Sequence, residues 1–216
     1  MISRERKHKI GLTYGAFAAA SYGTNPLFAL PLYSAGIGVN SVLFYRYAIA
    51  LVLYGLWLKF VKKISFKISF KETIVLFILG LFFSLSSYTL FEAFKYIEVG
   101  IACTILFIYP VLVAVIMAIF FKEKITKTVI TSISLITIGI TLLYHGKEGA
   151  TLNLYGVLIV LLSALLYSLY IVGVKNIKIV RHMNSAKMTF YVMLFGLILF
   201  ITNLNFCTEL QQLTSP

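Results

Sequence analysis

Long apolar runs separated by short polar clusters set the pattern of this chain. Seven runs are long enough to be read as helices crossing a hydrocarbon core, which takes roughly 20 apolar residues at about 1.5 Å of rise each. They fall at residues 10–33, 41–58, 73–94, 99–121, 129–144, 154–174 and 188–204, the fifth being the shortest. The expected fold class is therefore all-α integral membrane with about seven transmembrane helices. The opening MISRERKHK has the charge of a signal-peptide start. The run after it carries Asn25, Pro26 and Pro31 and no convincing cleavage site, so it is read as a retained first span.

Lys and Arg orient these spans, because cytoplasmic loops hold them in excess. Arg4, Arg6, Lys7 and Lys9 precede the first span, and Lys59, Lys62, Lys63, Lys67 and Lys71 lie around the link from second to third. Lys122, Lys124 and Lys127 follow the fourth, and Lys175, Lys178, Arg181 and Lys187 join the sixth to the seventh. Only Lys95, Lys147 and the intramembrane Arg46 stand apart. The alternation predicts a multi-pass protein of the plasma membrane with a cytoplasmic N-terminus.

Composition agrees: 60% of residues are hydrophobic, 12% are charged and the mean hydropathy is +0.95, which places these side chains in lipid. The net charge of +12 could suggest nucleic acid, but the basic residues are confined to loops between apolar runs, so no nucleic-acid partner is expected. Cys103 and Cys207 have no metal or disulfide spacing, and His8, His145 and His182 are scattered among tails and loops. No metal or cofactor is expected. Neither a P-loop nor a nucleophile elbow or paired loop carboxylates occurs, which argues against direct ATP drive and against an enzyme. A rhodopsin-type receptor is disfavoured by the cytoplasmic N-terminus.

Laying the first span on the sixth aligns Gly11 with Gly156 and Tyr22 with Tyr167, and Asn40-Ser41 with Asn184-Ser185 before the next span. The offset contains five spans, an odd number, so the second copy would be inverted, as in many secondary transporters.

The residues YGTNPLFALPLY, FYRYAIA and EAFKYIEVGIACTILFIYPVLVAVIMAIFFKEKIT, together with GVLIVLLSALLYSLYIVGVK, make the chain resemble the drug/metabolite transporter superfamily and its EamA-type members. The resemblance implies a first five-helix repeat at residues 10–145 and an incomplete second repeat at 153–206. The family pattern has ten helices, so the expectation is a C-terminally truncated member. It implies a secondary transporter or exporter of small metabolites working by alternating access, ion-coupled or by exchange. The alternative is a nonfunctional or accessory half-transporter that requires a partner, whether a second copy in a homodimer or another half. The other expected partners are the lipid bilayer and a small-molecule substrate.

Several residues could carry that chemistry. Arg46 is a charge inside a span and is expected to face a cavity or a partner. Glu92 lies at similar depth, so the two could pair; alternatively Arg46 snorkels outward and Glu92 pairs with Lys95 three residues on. Gly80, Ser84, Tyr88 and Glu92 share a helix face with Ser87 beside them, either lining a path or packing a neighbour. Gly11, Gly15, Ala19 and Gly23 form a small-residue stripe expected to admit another helix.

Pro26 and Pro110 each obstruct a backbone bond near mid-span, at the carbonyls of Tyr22 and Leu106. Tyr22, Thr24 and Asn25 add polarity around the first break and make it the better path candidate, while Pro110 reads as mechanical. Glu123 ends the fourth span among Lys122, Lys124 and Lys127, where a local ion-pair cluster with a structural or gating role is expected.

Overall fold

The computed structural model describes residues 4–123, 129–131, 134–135, 138 and 153–211, and every regular element among them is helical. They fall into two compact units, one of residues up to Gly38 with Gln211, the other Val39–Leu210. The first holds α1 (Arg4–Gly23) and α2 (Asn25–Ser34). The second holds α3 (Val39–Leu56, continued by a π-helical turn Trp57–Val61), α4 (Phe70–Ala93), α5 (Val99–Leu106), α6 (Tyr109–Phe121), α7 (Leu154–Asn176), α8 (Lys178–Arg181) and α9 (Ser185–Asn203).

Among the described residues, five helical stretches are long and apolar enough to cross a membrane: Val39–Val61, Phe70–Ala93, Val99–Phe121, Leu154–Asn176 and Ser185–Asn203. These are the second, third, fourth, sixth and seventh expected spans, with ends shifted by up to three residues. The first expected span is two helices rather than one. The fifth, residues 129–144, lies largely outside the described residues.

Local chemistry explains where the helices begin. Ser69 and Glu72 form a reciprocal capping box, the Glu72 amide donating to Ser69 Oγ at 3.3 Å and the Ser69 amide to the Glu72 carboxylate at 2.5 Å. Asn153 caps α7 by accepting from the amides of Tyr155 and Gly156, and Asn184 caps α9 by accepting from those of Ala186 and Lys187. The link before α4 is held to α9: the Tyr191 hydroxyl donates to the Phe66 carbonyl and the Lys187 ammonium to that of Lys67. Beneath it, Ile68 packs on a core of Leu76, Leu79, Val180, Tyr191 and Val192.

Helix α4 is the hub of the second unit. A Cβ placed on Gly80 would lie 2.8 Å from Cβ of Phe195 and 3.0 Å from the Val192 carbonyl oxygen, so α4 and α9 nearly touch backbone to backbone there. Against α7, the close approaches of Gly156 to Ile97 and of Gly173 to Leu79 flank hydrogen bonds between Ser163 and Ser86. Rising numbers on one side meet falling numbers on the other, so α4 and α7 run antiparallel.

The same bookkeeping makes α6 and α7 parallel, because Tyr109 meets Ser168 and Met117 meets Asn176. Helices α3 and α9 are antiparallel and reciprocal: Tyr47 of α3 lies on Gly196 of α9, and Phe190 of α9 lies on Gly55 of α3. These directions bring the link between α3 and α4, the end of α6, and the link between α7 and α9 to one face of the second unit. That face carries Lys62, Lys63, Lys67, Lys122, Lys175, Lys178 and Arg181.

Candidate functional site

Near the middle of the spans of the second unit, aromatic rings form a continuous seam. Phe200 of α9 meets Tyr47 of α3 at 5.0 Å between centroids, and Tyr47 meets Phe83 of α4 at 6.2 Å. Phe83 contacts Tyr170 at 5.2 Å and Tyr167 at 6.4 Å on α7, and Tyr167 meets Tyr109 edge-on at 4.9 Å where α6 begins. The seam therefore joins α3, α4 and α6, which precede residue 145, to α7 and α9, which follow it.

Its polarity is concentrated in hydroxyl groups. Tyr47 and Ser87 share a hydrogen bond of 3.0 Å. Among the described residues no hydrogen bond reaches the hydroxyls of Tyr109, Tyr167 or Tyr170, and none of these three atoms is fully enclosed by protein. A tyrosine hydroxyl turned toward hydrocarbon has nothing to bond with, whereas one lining a wet path does. The rings give flat apolar faces and the hydroxyls give donors and acceptors, a combination that can hold an amphipathic small molecule without fixed charge.

Beside the seam the fourth span breaks. Helix α5 closes at Leu106 through short-range bonds, the Phe107 amide donating to the carbonyls of Cys103 and Thr104 and the Ile108 amide to that of Ile105. Pro110 then occupies the first turn of α6, where a missing amide hydrogen is tolerated. The break is tied to α7, since Ser168 Oγ donates to the Tyr109 carbonyl at 3.1 Å as well as to that of Ala164 at 2.6 Å.

The residues expected from sequence distribute as follows. Both carboxylate oxygens of Glu92 accept from Lys95 Nζ at 2.9 Å, while the Arg46 guanidinium lies over the Phe91 ring at 4.8 Å from its centroid. Glu92 is thus held locally, and Arg46 rests on its neighbour's ring. Ser84 is fully buried at the Gly196 crossing and donates to the Gly80 carbonyl at 2.7 Å, so on this part of the face packing prevails; Tyr88, one turn further, is half-buried.

Glu123 pairs with Lys175 of α7, 3.0 Å to each oxygen, after Lys122 turns the chain with φ of 54°. Lys124 and Lys127, its other expected partners, lie outside the described residues. In the first unit Thr24 separates α1 from α2 and donates through Oγ1 to the Ser21 carbonyl at 2.7 Å. Pro26 sits in the first turn of α2. The side chains of Tyr22, Asn25 and Pro26 lie outside the described ones. Gly11, Gly15 and Gly23 are exposed, and among the described residues a Cβ at any of the three would meet nothing within 4 Å; the side chain of Ala19 lies outside the described ones.

Sequence reasoning passed over Tyr47, Tyr109, Tyr170, Ser86, Ser163 and Ser168. Ser86 Oγ donates to the Ser163 carbonyl at 2.9 Å, and Ser163 Oγ returns a bond to the Ser86 carbonyl at 2.7 Å. Serines deep in apolar runs were the available signal, since a membrane helix places few hydroxyls without a use for them.

Residues 9–145 match the model of the EamA-like transporter family. The chain belongs to that family. An uncharacterized transporter of Archaeoglobus fulgidus is 28% identical over 127 residues, covering 58% of this chain and 43% of that protein. The chain therefore spans less than half the length of this relative. No solved structure matches. Family membership and the five apolar stretches make this EamA-like chain a multi-pass membrane protein.

Proposed function

We propose that this EamA-like chain contributes to a secondary transporter of small amphipathic metabolites that works by alternating access. The substrate path would pass the tyrosine seam between the first repeat, residues 10–145, and the opening of an inverted second repeat, residues 153–206. The observation that carries this reading is the set of unpartnered hydroxyls of Tyr109, Tyr167 and Tyr170 at mid-span, on either side of that division.

The reciprocal packing of α3 and α9 supports the inverted repeat. Tyr47 in the middle of α3 covers Gly196 of α9, and Phe190 in the first half of α9 covers Gly55 of α3, an exchange that a two-fold axis between antiparallel helices would allow. The gathering of Lys62, Lys67, Lys122, Lys175 and Arg181 on one face supports a cytoplasmic N-terminus at the plasma membrane. The break at Phe107–Ile108 supplies a place where half of the fourth span can tilt. Coupling would come from an ion gradient or from exchange.

The test is counterflow in proteoliposomes with a panel of radiolabelled metabolites, after ligands have been picked by thermal shift. The reading expects at least one amphipathic metabolite to exchange, with Tyr109→Ala and Tyr167→Ala each lowering the rate about tenfold or more at equal reconstitution. Exchange that both variants leave unchanged would refute the seam as the path.

A further inference from the structure

A second feature of the helical unit starts at the break beside the seam and runs along α6 to its end. One side of α6 opens into a groove of about 220 Å³ lined by Pro110, Val113, Ala114, Met117, Glu123, Val129 and Lys175. We propose that it is a binding site for one membrane phospholipid with a primary-amine zwitterionic headgroup, of the phosphatidylethanolamine type.

The dimensions and chemistry follow the leaflet. Pro110 stands near the middle of the span and Glu123 just beyond its end, 13 residues on, which is roughly 20 Å of helix. That is about half of the 40–45 Å thickness of a bilayer with its headgroup regions. The floor, at Pro110, Val113, Ala114 and Met117, is a single apolar helix face of i, i+3, i+4, i+7 spacing, suited to an acyl chain. The mouth is charged, and in both signs: Glu123 and Lys175 meet at 3.0 Å, each about half exposed.

The ion pair leaves capacity on both partners. Lys175 Nζ uses two of its three donors on Glu123, and each carboxylate oxygen keeps a lone pair. A phosphate accepting the remaining ammonium proton and a headgroup ammonium donating to the carboxylate would complete an alternating set of four charges. A choline headgroup has no N–H to donate, and a glycerol headgroup has no cation. The pair therefore selects among lipids that the groove floor alone would not distinguish.

The experiment is native mass spectrometry of the full chain, purified and equilibrated with mixed micelles holding equal amounts of phosphatidylethanolamine, phosphatidylcholine and phosphatidylglycerol of identical acyl chains. The expected result is one retained phosphatidylethanolamine, favoured fivefold or more over each competitor. Glu123→Gln should reduce that preference to near the phosphatidylcholine level. Ala114→Phe, which fills the floor and leaves the ion pair in place, should abolish retention of all three. Equal retention of the three lipids, preference for phosphatidylglycerol, or retention unaltered in Ala114→Phe would each overturn the proposal. Should Ala114→Phe not fold, Lys175→Gln decides: loss of preference supports the site, and an unchanged preference overturns it. None of these outcomes depends on transport, so failure here leaves the tyrosine path standing or falling separately.

Discussion

Replacing Gly80 by alanine tests how the second unit is held together. The added Cβ would stand 2.8 Å from the Phe195 Cβ and 3.0 Å from the Val192 carbonyl oxygen. Ordinary carbon contacts lie near 3.5–4.0 Å, so α4 and α9 must part by about 0.5–1 Å. Neither obstacle is the tip of a flexible side chain, so no rotamer change relieves the clash. Parting the helices also loosens the Tyr47 ring from Gly196, since Ser84 and Tyr47 both press on that glycine.

Overpacking of this kind costs about 1–3 kcal/mol. The assay is reversible unfolding in mixed micelles at increasing SDS fraction, followed by circular dichroism. Gly100→Ala is the control: a Cβ there meets nothing within 4 Å, and helix propensity alone should leave stability unchanged or raised by up to about 1 kcal/mol. A Gly80→Ala protein as stable as wild type would refute the claim that this crossing is backbone-limited.

Other consequences can be measured separately. Ser86→Ala and Ser163→Ala should each lower stability by about 0.6 kcal/mol in the same assay, the usual worth of an interhelical hydrogen bond in lipid, because each removes one hydroxyl bond to the other residue's backbone carbonyl; two variants as stable as wild type would contradict the reciprocal bonds. In a cysteine-free background, single cysteines at Lys63 and Lys178 should be labelled only from the cytoplasmic side of sealed vesicles and one at Lys95 only from the other, whereas labelling of all three from one side would break the orientation. Pro110→Ala restores the amide that can close the helix over Leu106, and counterflow should slow several-fold with stability unchanged or improved; undiminished exchange would show that the break has no mechanical part.

Why some of this was legible in the sequence and some was not has physical reasons. Apolar run length located the five described apolar helices to within three residues, because that length is imposed by the bilayer rather than by partners. The proline at 110 announced its break, since a missing amide hydrogen acts locally. The SFKE box at Ser69–Glu72 was the signal for the start of α4 that a count of apolar residues, beginning at Thr73, passed over.

Partnerships across helices were not. Nothing in a lone serine says that its partner is 77 residues away, as Ser86 and Ser163 are. Equal depth suggested Arg46 with Glu92, but successive residues on α4 point about 100° apart, and Phe91 rather than Glu92 presents itself to Arg46. Glu123 has lysines on both sides in sequence, yet the left-handed turn at Lys122 aims it across at Lys175. The tyrosine seam joins residues from five helices, so only their assembly reveals it.

The central claim is that mid-bilayer hydroxyls face water between two halves of a transporter, and thiol accessibility measures this most directly. With Cys103 and Cys207 replaced by alanine, single cysteines at Tyr109 and Tyr167 should react with a charged, membrane-impermeant methanethiosulfonate reagent in intact membranes. A cysteine at Leu162, exposed well inside the span of α7, should remain unlabelled. Reaction at both seam positions and not at Leu162 is the expected result; seam cysteines as inert as the one at Leu162 would contradict a wet path through the tyrosines.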